Sequence, residues 1–357
     1  MSYNFGPGPA VLPRCVVEEA GQSLLSSEVG LSILEVSHRG DAYQEVHEAA
    51  LARCRRLYGV PDRMAIGFVQ GGASLQFAMV AQNLLRQGRS ADYVNTGSWS
   101  KKAIVEVGRL GKDHRVAGTS EADNFNHIPA ELDLDPEAEY VHITTNNTIF
   151  GTQYSQLPDT GAVPLAADMS SDLLSGPVKW DGVGLAYGGA QKNAGVAGLT
   201  VVFVDRDLLA RESDSTPTIL RYSTHVEANS LFNTPPVFAI YIFGLVLKWM
   251  ESAGGLAGVA QTNRRKAELV YNALDELSEF YVGHAQRDSR SLMNVTFNLR
   301  DASLTEAFCA AALERDMVGL KGHRSVGGVR ASIYNAMPVE GCQVLADFMR
   351  DFARQHG

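Results

Sequence analysis

The stretch Leu185-Ala-Tyr-Gly-Gly-Ala-Gln-Lys-Asn193 places a lysine, Lys192, directly after an apolar segment and two glycines. The pattern predicts a strand that ends in a glycine-rich corner and continues as a helix. Residues 163–168 form a second apolar segment that ends in Asp168, and residues 199–204 form a third. Because neighbouring parallel strands end at the same edge of a sheet, we expect the amine and the carboxylate to meet at one rim.

An amine and a buried carboxylate at one rim are the minimal equipment of an enzyme that uses pyridoxal phosphate (PLP). The amine of Lys192 would hold the cofactor aldehyde as a Schiff base, and Asp168 would keep the pyridine nitrogen protonated. An isolated lysine after a turn is more often a solvated surface residue. The hypothesis therefore depends on the residues around the pair.

Size and charge exclude several classes of protein. With 357 residues, 38.6 kDa and 45% hydrophobic residues, the chain can build a large core and two domains. A net charge of −9 and a pI near 5.5 argue against nucleic-acid or anionic-membrane binding. The longest apolar run, residues 237–250, is interrupted by Gly244 and Lys248, and the N-terminus lacks a signal-peptide pattern. We predict a cytoplasmic protein.

The four cysteines, at positions 15, 54, 309 and 342, are scattered along the chain. No C-x-x-C spacing is present, and no histidine is placed to complete a zinc site. We therefore predict reduced thiols and no metal site.

Strand-like and helix-like segments alternate through the middle of the chain, which predicts an α/β fold with a mainly parallel sheet wrapped by helices. Strands are predicted near residues 65–69, 91–95, 140–144, 163–168, 183–187 and 199–204, and helices near 75–86 and 98–108. A long helix is predicted from the double proline at 235 and 236 to residue 250, followed by a hinge at 252–258. Helices near 259–277, 304–315 and from 339, with strands near 293–299 and 329–333, predict a second α+β domain.

The stretch Gln70-Gly-Gly-Ala-Ser-Leu-Gln-Phe77 follows the first predicted strand and opens a helix. Free backbone amides at a helix N-terminus suit a phosphate, and the anchoring amides here would be those of Ala73 and Ser74. The motif is neither a Walker motif nor G-x-G-x-x-G, and a Gly-Gly turn before a helix is common.

Three more segments follow predicted elements in positions that can reach a ligand. Trp99 could stack on a planar cofactor or fill the core, and Thr148 could bond a ring hydroxyl or merely belong to an Asn-rich turn. Asn233 and Thr234 could contact a ligand or cap the next helix. For each of them the residue alone leaves both interpretations open.

Three basic clusters remain: Ser37-His-Arg-Gly40, Lys321-Gly-His-Arg324 and Gly328-Val-Arg-Ala331. A single surface arginine is usually solvated. Two His-Arg pairs, each beside a glycine, resemble a receptor for a doubly anionic group, since arginine offers a planar fork of donors and histidine a tunable charge.

Together these motifs resemble the phosphoserine aminotransferase family, class-V members of the fold type I PLP-dependent transferases. The resemblance covers nearly the whole chain, in the order Asn4-Phe…Gly8-Pro-Ala10, Glu35-Val-Ser-His-Arg-Gly40, the Gly-Gly turn, Ala91-Asp-Tyr-Val94 with Trp99, Gly189-Ala-Gln-Lys-Asn193, Phe232-Asn-Thr-Pro-Pro236 and the segment 321–338. Some members begin with Ser-Ser-Gly-Pro-Ala where this chain has Gly6-Pro-Gly-Pro-Ala10, and some carry Gly-Arg at Ala73-Ser74. The second departure leaves more of the phosphate binding to backbone amides and the Ser74 hydroxyl.

The resemblance implies a large PLP-binding domain over residues 15–255 with a mainly parallel seven-stranded sheet, and a smaller α+β C-terminal domain over 256–357, joined by the segment 1–14. It implies a homodimer with shared active sites and one PLP per subunit. The implied reaction converts L-glutamate and 3-phosphohydroxypyruvate into 2-oxoglutarate and O-phospho-L-serine for serine biosynthesis. A related reaction would form 4-phosphohydroxy-L-threonine for vitamin B6 biosynthesis.

Residue by residue, the resemblance assigns the covalent bond to Lys192, the pyridinium partner to Asp168, ring stacking to Trp99 and the ring hydroxyl to Thr148. The cofactor phosphate is assigned to Ala73, Ser74 and Gln191, joined by Asn233 and Thr234 of the neighbouring subunit. Arg330 is assigned to the substrate α-carboxylate. The distal phosphate or carboxylate is assigned to His38 and Arg39, with His323 and Arg324 of the neighbouring subunit.

Other functions stay open on the residues alone. A small-amino-acid:glyoxylate aminotransferase or a cysteine desulfurase would share the PLP chemistry, although no cysteine lies in a motif near Lys192. A non-PLP binding module or an NAD-dependent dehydrogenase could use the same kind of sheet. A dehydrogenase, however, needs a G-x-G-x-x-G fingerprint, which this chain does not have.

Overall fold

A seven-stranded sheet forms the centre of the computed structural model, which describes residues 2–26 and 30–357. Thr200–Asp205 runs antiparallel to both of its neighbours, and every other neighbouring pair in this sheet is parallel. The prediction of a mainly parallel seven-stranded sheet is confirmed. In spatial order the strands are Met64–Val69, Thr200–Asp205, Val183–Gly189, Leu165–Asp168, Val141–Thr144, Ala91–Asn95 and His114–Thr119.

Helices cover both faces of this sheet. Alternate residues of the strand Met64–Val69 belong to different hydrophobic cores, with Phe68 in one and Val69 in the other. Both faces are therefore buried, which explains why the central strands are continuous apolar runs. The α-helices of the described residues are Arg14–Leu25, Asp41–Tyr58, Gly72–Leu84, Ser98–Arg109, Tyr222–Glu227, Val237–Ser252, Gly255–Glu276, Thr305–Glu314 and Val339–His356.

The predicted strand-to-helix corner after Gly189 is wrong. Residues 190–195 form turns and a bend, and the chain then returns as Thr200–Asp205, with Thr200 paired to Gly189 in antiparallel register. The connection is short, and Gly198 adopts a φ of 108°, a left-handed value that favours a reversal of the chain. Lys192 thus lies in a turn between two paired strands.

A second hydrophobic core forms around a smaller antiparallel sheet. Its strands are Tyr281–Gly283, Asn294–Leu299 and Val329–Ser332. Phe5 of the N-terminal segment belongs to this core, and the strand Tyr3–Asn4 pairs with Met317–Val318. The division of the chain between residues 255 and 256 stays a prediction.

The hinge predicted at 252–258 is shorter in the structure, where only residues 253–254 separate the helices Val237–Ser252 and Gly255–Glu276, which meet at an angle of 81°. Within residues 2–26 and 30–357, no single helix is both long and apolar enough to cross a membrane. Only this bent pair reaches that length and composition when its two helices are taken together.

Lys266 is a buried cation on the helix Gly255–Glu276, with 0% of its surface exposed. Its Nζ donates to the carbonyl oxygens of Ile333 at 2.9 Å and Tyr334 at 2.6 Å, and it lies 3.4 Å from that of Asn335. Burial lowers the pKa of Lys266 from 10.5 to about 8. The lysine therefore ties the helix to the segment that follows the strand Val329–Ser332.

Because this pKa is lowered, we predict that Lys266 makes the free energy of unfolding depend on pH in the alkaline range. Between pH 8 and 10.5 the unfolded chain binds more protons at this lysine than the folded chain does, so the free energy of unfolding rises with pH. Between pH 8 and pH 10, the free energy of unfolding of the wild-type protein should rise by roughly 2 kcal/mol relative to that of Lys266→Met, as measured by urea unfolding. Lys248→Met, which removes an exposed lysine paired with Glu19, is the control and should show no such trend. A constant difference between wild type and Lys266→Met would contradict the prediction.

Candidate active site

Lys192 lies beyond the carboxyl end of the strand Val183–Gly189. Its Nζ donates a hydrogen bond to Thr148 Oγ1 at 2.6 Å and lies 5.8 Å from the centroid of the Trp99 ring. Thr148 follows the strand Val141–Thr144, and Trp99 is in the first turn of a helix that follows Ala91–Asn95. The ends of three parallel strands therefore bring an amine, a hydroxyl and an aromatic ring together, as predicted.

The N-terminal segment crosses the turn that carries Lys192. The amide of Ala10 donates to the carbonyl of Gln191 at 2.9 Å. Gly8 has a φ of 129°, and a Cβ there would approach Lys192 Cγ to 3.2 Å. The close approach and the unusual backbone angle together explain why glycine occupies position 8.

Asp168 ends the strand Leu165–Asp168 with 3% of its surface exposed. Its Oδ1 accepts hydrogen bonds from the Ser170 amide at 2.9 Å and the Ser170 hydroxyl at 2.6 Å. Within the described part of the chain, Oδ2 accepts none. Burial raises the pKa of Asp168, while the Ser170 hydrogen bonds and the charge of Lys192 oppose that rise. One oxygen is thus anchored, and the other remains available to a ligand.

The same environment changes the pKa of Lys192. Burial and, to a smaller extent, the positive charge of Arg330 lower this pKa, while Asp168 and Asp172 raise it, and the net result is a shift from 10.5 to about 8. A sizeable fraction of the amine is therefore neutral near physiological pH.

The Gly-Gly turn lies where the sequence places it, between Met64–Val69 and the helix Gly72–Leu84. Gly71 and Gly72 have φ angles of 92° and 65°, and a Cβ on Gly71 would collide with Leu75. Ala73 is partly buried and Ser74 is exposed. Their amides are in the first turn of the helix, where N–H groups have no partner within the helix and can bind an anion.

Arg330 lies on the strand Val329–Ser332 and is 6% exposed. Its Nε is buried and has no hydrogen-bond partner in the described chain. The pKa of His323 is lowered by burial and then by the charges of Arg330, Arg324 and Lys102. The charge of Arg330 therefore acts on His323 and also on Lys192, whose pKa it lowers as well.

Two of the predicted groups of residues have no hydrogen bond or ion pair to Lys192 within the described chain. His38 and Arg39 lie in the turn before Asp41–Tyr58, and no hydrogen bond or ion pair in residues 2–26 and 30–357 links their side chains to Lys192. Asn233 is exposed and donates to Gln70 Oε1 at 3.2 Å, and Thr234 is also exposed. Their predicted roles require a second subunit.

Sequence reasoning missed two residues that shape the site. Ser170 holds Asp168, and Tyr334 donates from its buried hydroxyl to the carbonyl of Pro7 at 2.9 Å, tying the N-terminal segment down. Burial raises the pKa of Tyr334 to about 12, so its hydroxyl keeps its proton. Each residue lies two positions after the end of a strand, and that position in the sequence could have indicated a place in the site.

Comparison with known proteins identifies the family. The sequence model of the class-V aminotransferases matches residues 2–345. The chain belongs to this family. A phosphoserine aminotransferase of Desulfosudis oleivorans is 54% identical over 357 residues, covering 99% of both chains.

Solved structures agree with this assignment. The phosphoserine aminotransferase of Bacillus circulans subsp. alkalophilus superimposes with a TM-score of 0.97 at 50% identity, covering 100% of this chain and 99% of its own. The PLP-bound phosphoserine aminotransferase of Trichomonas vaginalis gives 0.93 at 38% identity, covering 98% and 100%. The NAD-dependent dehydrogenase and the non-PLP binding module considered above are therefore excluded.

This aminotransferase is PLP-dependent. Its residues fit the cofactor on structural grounds, because Lys192 offers an amine with a lowered pKa and Asp168 keeps one carboxylate oxygen free of hydrogen bonds in the described chain. The Trp99 Nε1 is buried without a partner among these residues. An unpartnered buried donor beside the lysine is typical of a site completed by a ligand.

The lowered pKa of Lys192 predicts unusual reactivity in the cofactor-free protein. Only the neutral amine reacts with an acylating reagent, so the rate of Lys192 labelling, followed by mass spectrometry, should rise with a midpoint near pH 8. Because Asp168 raises this pKa, Asp168→Asn should move the midpoint to lower pH. The exposed Lys101 serves as the internal control. A Lys192 midpoint near 10.5, or an upward shift in Asp168→Asn, would contradict the prediction.

Proposed function

We propose that this enzyme transfers the amino group of L-glutamate to 3-phosphohydroxypyruvate, giving 2-oxoglutarate and O-phospho-L-serine. The observation that carries the proposal is Arg330, whose buried Nε has no hydrogen-bond partner in the described chain and whose charge lowers the pKa of Lys192. The α-carboxylate of a substrate supplies the missing anion, and the two predicted His-Arg pairs suit a phosphate at the other end of the same substrate. The relative in Desulfosudis oleivorans, named a phosphoserine aminotransferase, supports the same choice.

In the proposal, Lys192 holds the cofactor covalently, Asp168 pairs through Oδ2 with the ring nitrogen and Trp99 stacks on the ring. Thr148 meets the ring hydroxyl. When bound, PLP supplies a conjugated ring that accepts the electrons left when the substrate Cα loses its proton. The amides of Ala73 and Ser74, with Gln191, hold the phosphate at the start of the helix Gly72–Leu84.

Lys192 also moves the proton. Its neutral amine would take the proton from the substrate Cα, and its lowered pKa keeps enough of the amine in the neutral form. Thr148 accepts a hydrogen bond from the amine and orients it. Asp168 holds a proton at the ring nitrogen through its electrostatic attraction. Because the amino group arrives and leaves in separate half-reactions, we expect ping-pong kinetics.

Specificity in the proposal comes from two anion sites. Arg330 grips the α-carboxylate shared by both substrates. The distal site, built from His38 and Arg39 with His323 and Arg324 of the neighbouring subunit, accepts either the glutamate carboxylate or the phosphate. A neutral side chain would leave these charges unpaired, so it should be rejected. The exposure of Arg39, Asn233 and Thr234 suits this homodimer with shared sites.

The same distal site suits 4-phosphohydroxy-L-threonine formation, which we include in the proposal.

Residues 15–255 form the PLP-binding domain and 256–357 the smaller domain, and the separate core around the antiparallel sheet supports this division. All four cysteines are free thiols, which suits the reducing cytoplasm.

A substrate panel tests the function. With glutamate as amino donor, the purified PLP-loaded enzyme should aminate 3-phosphohydroxypyruvate far faster than pyruvate, glyoxylate or oxaloacetate, measured as 2-oxoglutarate release. Lys192→Ala is the control and should lose turnover by several orders of magnitude. Equal rates with pyruvate, or transamination that survives Lys192→Ala, would refute the proposal.

The distal anion site predicts a selective effect of arginine removal. Arg324→Ala and Arg39→Ala should each reduce kcat/KM for phosphoserine by roughly 10²-fold, since a charge-assisted bond contributes about 3 kcal/mol. They should leave kcat/KM for alanine, a poor substrate without a distal charge, almost unchanged. Arg109→Ala, at an exposed ion pair with Glu106, is the control. An equal loss for alanine and phosphoserine would place these arginines outside the specificity site.

A further inference from the structure

A cavity of about 560 Å³ lies away from the active site, lined at one side by residues 85–89 and 110–113 and at the other by residues 211, 213 and 215–217. The first two segments follow the ends of the helices Gly72–Leu84 and Ser98–Arg109, whose first turns carry the Gly-Gly motif and Trp99. A 13-residue helix is about 20 Å long. The cavity is therefore separated from Lys192 by roughly the length of a helix.

The lining of this cavity is strongly cationic, although the whole chain carries a net charge of −9. Arg86, Arg89, Lys112 and Arg211 line it, against the single lining carboxylate of Asp113. A chain with excess negative charge has thus gathered four cations around one space. The volume falls within the range of pockets that hold small molecules.

The three arginines share one buried carboxylate. Glu139, with 1% of its side chain exposed, accepts hydrogen bonds from Arg86 at 2.8 Å, Arg89 at 2.9 Å and Arg211 at 3.3 Å. Burial alone would raise the pKa of Glu139, but the Arg86 and Arg89 hydrogen bonds hold it below its usual value. Glu137 also pairs with Arg89, at 3.5 Å. Two negative charges therefore compensate three arginines, and the cluster keeps a smaller positive excess, to which Lys112 adds.

These arginines also keep donors that no group in the described chain accepts. Arg86 uses Nε and Nη2 in its hydrogen bonds, Arg89 uses the same two nitrogens, and Arg211 uses Nη1. Their remaining guanidinium nitrogens donate to nothing in residues 2–26 and 30–357. Lys112 Nζ donates to the Leu85 carbonyl and forms no ion pair with an acid in this part of the chain. Hydroxyl donors, including Ser213 and Ser215, line the same cavity.

We propose that this cavity is a second anion site, which binds a small, multiply charged phosphate compound. Guanidinium forks match phosphate oxygens, and several arginines around one space bind a polyanion more strongly than a single one does. A phosphate compound supplies negative charge for the excess that Glu139 and Glu137 leave. The residues that line the cavity do not require this ligand to carry a planar ring like that of PLP.

Inorganic pyrophosphate is the probe that tests this site in the full-length, PLP-loaded enzyme. Calorimetric titration at low salt should show saturable binding that weakens on addition of NaCl. The absorbance of the bound cofactor should stay unchanged, because the anion binds remotely from it. Binding that shifts this absorbance and disappears in Arg324→Gln would assign the anion to the active site and overturn the proposal.

Two substitutions locate the binding. Arg86→Gln and Lys112→Gln should each weaken pyrophosphate binding at least fivefold, while kcat for transamination stays within twofold of wild type. Arg86→Gln leaves Glu139 with two arginines, and Lys112→Gln leaves the whole arginine cluster in place, so a folding defect in one variant does not prevent the test. Arg109→Gln, a nearby exposed arginine, is the matched control and should bind like wild type. Absence of saturable binding, or equal affinity in all three variants, would refute the site.

Discussion

Burial at the carboxyl edge of the sheet is the constraint on which the active site depends. Low solvent access lowers the pKa of Lys192 and raises that of Asp168, while the attraction between the two groups opposes both shifts. The balance leaves a lysine that is partly neutral and an acid whose charge is held by Ser170. A fully exposed pair would have neither property, because water would keep both groups in their ordinary ionisation states.

This balance requires that several remote segments be held in place. The carboxyl ends of neighbouring parallel strands position Asp168, Thr148 and Trp99, and the turn between two antiparallel strands positions Lys192. The C-terminal part of the chain contributes as well, since the Asn335 amide donates to Asn193 Oδ1 at 3.0 Å, next to Lys192. Lys266 binds the carbonyls of the same segment. The lysine turn is therefore fixed from both cores of the molecule.

The sequence predicted those parts of the fold in which the pattern of residues depends on burial alone. The strands Met64–Val69 and Ala91–Asn95 are fully buried, so their apolar runs were visible. The edge strand His114–Thr119 is only partly buried and contains His114 and Arg115, so its pattern did not predict a strand. The corner at Lys192 was mistaken for a helix start, because a glycine-rich turn before an apolar strand resembles one before a helix.

The site was predictable to the extent that it follows from strand order. Parallel strands place their ends together, so Lys192, Asp168, Trp99 and Thr148 could be grouped without coordinates. The role of Ser170 depends on a single hydrogen bond, and that of Tyr334 on a contact with Pro7, more than 300 residues away in sequence. Neither leaves a periodic signal. The role proposed for Arg39 requires a neighbouring chain, so the structure of one subunit does not place it in the site.

Two arginines differ in whether the chain supplies them with an acid. Arg290, which is partly buried, is bound through two nitrogens to Asp275 at 2.9 and 2.5 Å, and these hydrogen bonds raise its pKa. Arg330 is more deeply buried, but in the described chain it has no acid, and burial lowers its pKa. Burying an unpaired guanidinium costs stability. In the proposed function, the substrate carboxylate would remove this cost, so part of the binding free energy would come from the unpaired charge that folding leaves at Arg330.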